Sequence, residues 1–102
     1  MLYITVHLYG KNGTPGEFKE YESKALKILR QHGGEVIIAY VPVRDPGVGD
    51  VPDEIQILRI ENRAQLEIFM KDPERVKMAE ERNNVIKRTD IFISNEIIDY
   101  VE

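Results

Sequence analysis

Residues 2–9 sort by parity into two chemically different sets, and that sorting limits the folds open to the chain. Leu2, Ile4, Val6 and Leu8 are uniformly aliphatic, whereas Tyr3, Thr5, His7 and Tyr9 are aromatic or polar. Successive side chains of a strand point to opposite faces, so the first set faces a core. The second set is too aromatic for an ordinary solvent face and too polar for an ordinary core. A strand of this kind predicts a sheet whose second face is a binding or pairing surface.

The remaining elements follow from local signals. "GKNG" at 10–13 ends the strand with turn residues. "TPGE" then places Thr14 as N-cap, Pro15 at the first helical position and Glu17 three residues after the cap, the capping-box pattern. The helix turns Phe18, Tyr21, Ala25, Ile28 or Leu29, and His32 inward, and Gly33 and Gly34 stop it. A second strand over Glu35–Val43 is apolar on both parities, which predicts cover on both faces. After the loop "RDPGVGDVPD", a third strand covers Glu54–Ile60. Asn62 caps a second helix with Ala64, Ile68 and Phe69 inward. Asp72 and Pro73 restart it through about Lys87, with Val76, Met78, Ala79 and Val85 inward. The last strand is placed at Ile91–Val101.

The order β-α-β-β-α-β in 102 residues predicts one domain of the α+β class, a ferredoxin-like split fold. Its four-stranded antiparallel sheet has the first and third strands in the middle. Right-handed crossovers put both helices on one face. The other face, carrying Tyr3, Thr5, His7 and Tyr9 with Ile55, Ile57 and Arg59 beside them, is left open. A second copy about a two-fold axis is the economical cover, giving a barrel-like homodimer with polar groups lining a cavity.

Composition narrows the function classes. With 14 Lys plus Arg against 18 Asp plus Glu the net charge is -4, which disfavours a nucleic-acid partner. There is no Cys, hence no disulfide, thiolate nucleophile or cysteine zinc motif. The longest apolar runs are far short of the ~20 residues that span a bilayer, and the N-terminus lacks the basic start of a signal peptide; the chain reads as cytoplasmic.

At "QHGGEVI" the chain resembles the dimeric α+β barrel superfamily. Within it the likeness is to a small uncharacterised-domain family related to antibiotic-biosynthesis-monooxygenase-like and NIPSNAP-like proteins. In that family a helix ends in His-Gly-Gly before the second strand, as at His32, Gly33 and Gly34. "VGDVPDEIQILRIENRAQLEIFMKDPER" is similar to the family's Gly-containing loop, third strand, helix and mid-helix Ser-Pro-Glu-Tyr segment. Gly49, Pro52, Pro73 and Glu74 match; Asp72 stands for the Ser, Arg75 for the Tyr, and Val51 sits where an aromatic residue is common. The wider superfamily contains cofactor-free quinone-forming monooxygenases, muconolactone isomerase, haem-binding members and non-enzymatic ligand-binding modules. The resemblance implies a homodimer with an interior pocket and carries over no catalytic residue.

Candidate chemistry therefore rests on the residues themselves. His7 is a catalytic candidate because a neutral imidazole on a rigid central strand moves protons near neutral pH; the alternative is a hydrogen-bonded interface histidine. Arg59 is the second, a guanidinium that needs a carboxylate from ligand or protein, with Glu61 or Glu96 as the expected in-chain partners. Tyr3, Thr5, Tyr9, Tyr40 and Glu96 are assigned to substrate binding or, equally, to packing. His32 belongs to a helix end rather than a site. Two histidines without a third ligand give no metal signal, and nothing singles out a cofactor. The two function readings are a small-molecule-binding dimer, acting as a cofactor-free enzyme, and a non-enzymatic sensing or dimerisation module.

Overall fold

The alternation of the first strand holds in three dimensions: β1 (Leu2–Gly10) buries Leu2, Ile4, Val6 and Leu8 and leaves the residues between them half-exposed. The computed structural model describes residues 1–100. Four strands form one sheet in the order β2-β3-β1-β4, with β2 at Glu35–Tyr40, β3 at Glu54–Ile60 and β4 at Ile86–Ser94. Every pairing is antiparallel, and β1 and β3 are central, as the element order predicts.

Helix α1 (Pro15–Gln31) begins where Pro15 pre-sets the helical φ. The capping box does not form. The Thr14 hydroxyl instead donates to the carbonyl of Lys11 at 2.8 Å, and Glu17 remains exposed. Phe18, Tyr21, Ile28 and Leu29 are buried from α1, joined by Glu22, which the apolar stripe does not predict. Gly33 ends the helix at φ +79, a backbone region that L side chains avoid.

The second helical layer is broken into α2 (Arg63–Met70), α3 (Pro73–Val76) and α4 (Ala79–Val85). Asn62 accepts a hydrogen bond from Gln65 N and Asp72 one from Glu74 N, so both expected caps form. Leu66, not Ala64 or Ile68, is the buried residue of α2, because only Leu66 and Phe69 share the inward stripe of so short a helix. Val76 and Ala79 are likewise exposed, while Met78 and Val85 join the core.

Two strands depart from expectation. β2 ends at Tyr40 rather than Val43, because Pro42 has no N–H to give to a ladder. It is an edge strand, and Ile37 and Ile38 are each about half exposed within one chain, so its faces are not both covered. β4 starts at Ile86, not Ile91, and stops at Ser94. There the Ser94 hydroxyl accepts from Glu96 N and donates to Glu96 O, a local turn that competes with the ladder. The expected strand end at Val101 lies outside the described residues.

Candidate functional site

The register assembles the open face residue by residue. Tyr3 lies opposite Arg59, Thr5 opposite Ile57 and His7 opposite Ile55 across the β1–β3 pair. On the other flank of β1, Thr5 faces Phe92, His7 faces Asp90 and Tyr9 faces Arg88. Directly opposed side chains share a face, so all of these sit on the side away from the helices. Tyr40 joins them, opposite Ile55 on β3. A register shift between Val36 and Ile38 brings Glu35, Ile38 and Tyr40 to this face while Val36 and Ala39 turn to the helices.

Side-chain contacts give the face three local centres. The His7 ring meets the Phe92 ring edge to face, with centroids 5.6 Å apart. The Arg88 guanidinium lies over the Tyr9 ring, 3.9 Å from its centroid. Arg59 is hydrogen-bonded and ion-paired to Glu35, and that partner raises its pKa above the ordinary arginine value. Neither Glu61 nor Glu96 takes the role foreseen for it, because the bulged start of β2 delivers Glu35 to the position opposite Arg59. Glu96 lies beyond β4 in the Ser94 turn and is not brought to the face. The Arg59 Nε is buried without a hydrogen-bond partner among the described residues, so the guanidinium is only partly satisfied within one chain.

Two clefts lie at the loop end of the sheet. One of about 560 Å³ is lined by Tyr9, Arg44, Asp53 and Lys87; the other, about 360 Å³, lies over Phe18 and is edged by Val41, Asp53 and Glu54. Neither is lined by His7 or Arg59. The segment 44–53 folds back on its own sheet: Asp53 accepts from Gly10 N at 2.6 Å and pairs with Arg44. Among the described residues no group of three or more His, Asp or Glu side chains is placed to hold a metal ion. No described helix is long and apolar enough to cross a membrane.

A last strand begun at Ile91 leaves Arg88 and Asp90 outside the sheet, and Phe92, though inside that strand, is given no face by it. The alternation Arg88, Asp90, Phe92 was the available signal.

No protein-family model matches the chain, and no curated protein sequence matches it. Solved structures do. A DABB family protein with a ferredoxin-like fold from Mesorhizobium loti is similar over 94% of this chain and 96% of its own, with TM-score 0.69 and 16% identity. This chain has the ferredoxin-like fold. The same ferredoxin-like backbone is shared with an uncharacterised NIPSNAP domain protein from Burkholderia xenovorans, over all of both chains, at TM-score 0.71 and 14% identity. It is shared also with a candidate antibiotic biosynthesis monooxygenase from Nitrosomonas europaea, over 96% of this chain and 100% of the other, at TM-score 0.72 and 12% identity. Each likeness is one of backbone course.

Proposed function

We propose that two copies of this chain pack open face to open face and enclose a small apolar or aromatic metabolite in a cavity between the sheets. The observation that carries this reading is Phe92. It stands 59% exposed beside His7 on a face that already holds Ile38, Ile55, Ile57 and three tyrosines. A contiguous apolar surface rimmed by polar groups is an interaction surface, and a two-fold copy supplies matching chemistry for it.

In this reading His7 takes and returns a proton, and the Arg59 N–H groups that Glu35 leaves free hold an anionic or carbonyl oxygen. Tyr3, Thr5, Tyr9 and Tyr40 line the walls, and the paired sheets exclude water. The reaction type is that of a cofactor-free monooxygenase or isomerase. The likeness to a candidate antibiotic biosynthesis monooxygenase supports it at the level of fold.

A second reading is a non-enzymatic sensing or dimerisation module. It is favoured by one contact, the in-chain Arg59–Glu35 pair, which gives the guanidinium a structural partner. A thermal-shift screen of small phenols, quinones, lactones and aliphatic acids separates the two, because a binder raises apparent stability with its occupancy. A ligand that stabilises wild type but not a dimeric His7→Ala variant supports the site. A flat response throughout, with His7→Ala falling to monomers, supports the module.

A further inference from the structure

On the helix side of the sheet, two carboxylates from different elements converge on one amide nitrogen. Gln56, in the middle of β3 and 2% exposed, donates from Nε2 to Glu22 Oε1 at 2.8 Å and to Glu54 Oε2 at 2.6 Å. An amide NH₂ has two hydrogens, so both are spent. Glu22 is 8% exposed and Glu54 is half-buried; they are thus held within two hydrogen-bond lengths of each other under α1. Burial penalises the charged form of Glu22, and a second carboxylate so near adds to that penalty.

The surrounding groups relieve this only in part. Arg75 from α3 and Arg82 from α4 are the cations that face Glu22, and both are hydrogen-bonded elsewhere, to Met70 O and to Thr89 Oγ1. Tyr21, next to Glu22 on α1, is itself buried and its phenol pKa is raised, so it remains neutral. From β1, the residue opposite Gln56 is Val6, which offers no charge. Burial first, and then Glu54, push the Glu22 carboxyl up to about 7 against the hydrogen bond from Gln56.

We propose that Glu22, Gln56 and Glu54 form a proton-operated clasp that fastens α1 to β3 while Glu22 holds its proton and loosens α1 when that proton leaves. The outer member, Glu54, also edges the 360 Å³ cleft over Phe18, so the state of the clasp is felt where α1 begins. The sign is fixed by the direction of the shift. A carboxyl whose folded pKa is raised from 4.5 to about 7 contributes stability that is full below 4.5 and is lost as pH rises through 7.

The test is a carboxyl-carbon NMR titration of Glu22 in the full chain, with thermal unfolding from about pH 5 to about pH 9. Glu22→Gln keeps the hydrogen bond from Gln56 but cannot ionise. The expected results are a Glu22 midpoint near 7, its shift to lower pH in Glu54→Gln, and a Tm that falls with rising pH in wild type but not in Glu22→Gln. A wild-type midpoint in the ordinary carboxylate range, a midpoint unmoved by Glu54→Gln, or a Glu22→Gln Tm profile parallel to wild type overturns the proposal. Should Glu54→Gln fail to fold, the wild-type titration and the Glu22→Gln profile decide alone.

Discussion

Asp72 and His32 join the end of α1 to the start of α3: the His32 Nε2 and Asp72 Oδ2 are 2.6 Å apart, while the other Asp72 oxygen accepts from Glu74 N at 2.8 Å. One carboxylate thus caps a helix and ties it to another, beside a Phe69 ring that meets His32 edge to face. The hydrogen bond to His32, then that from Glu74, lower the Asp72 pKa below its usual 3.8.

A lowered carboxylate pKa contributes stability that is present above the usual value and lost as pH falls through the folded one. Acid unfolding of wild type should include this loss below about pH 4, and Asp72→Asn should remove it while lowering stability at neutral pH. The check is Tm against pH for both proteins; parallel acid limbs would show that the pair contributes nothing.

The turn after α1 tolerates only glycine at two adjacent positions, for different reasons. Gly33 has φ +79, and a Cβ on Gly34 would stand 2.5 Å from Leu29 Cγ and 3.0 Å from its carbonyl oxygen. Leu29 is 1% exposed and has no room to yield. Gly33→Ala should cost about 1 kcal/mol of strain, and Gly34→Ala about 1–3 kcal/mol of overpacking, read by urea unfolding.

The helix-side core should respond as a packed interior. Leu29→Ala and Ile60→Ala, each at a side chain almost wholly removed from water, should destabilise by about 2–5 kcal/mol. Ile68→Ala should change stability by less than ~1 kcal/mol in one protomer, because Ile68 faces outward.

Much of this architecture was legible in the sequence. Parity in β1, apolar runs in β3, and the caps at Asn62 and Asp72 are local signals that tertiary contacts reinforce. What was not legible depends on non-local geometry. The shift between Val36 and Ile38 changes which side of β2 its residues take, and it is this shift that hands Arg59 to Glu35. The early start of β4 is hidden because Lys87–Asp90 is polar, like the helix before it, so Arg88 and Asp90 read as helix or loop and the parity that puts Phe92 on the open face has no anchor. Glu22 was overlooked because a glutamate on a helix stripe reads as solvent-facing until Gln56 is known to lie beneath it.

The open face makes a prediction that leaves the protomer intact. Ile57→Lys and Phe92→Asp place an unpaired charge on the sheet surface without touching the helix-side core. If that surface is an interface, each should weaken self-association ~100-fold or more, the scale of about 3 kcal/mol for an uncompensated buried charge. Far-UV circular dichroism should be unchanged.

The most direct measurement is the mass of the wild-type particle by sedimentation equilibrium at micromolar concentration, alongside Phe92→Asp. Twice the chain mass for wild type and a single chain mass for the variant is the predicted result. A single chain mass for wild type, with Tyr3 and Phe92 accessible to solvent probes, would contradict a face built to meet its copy.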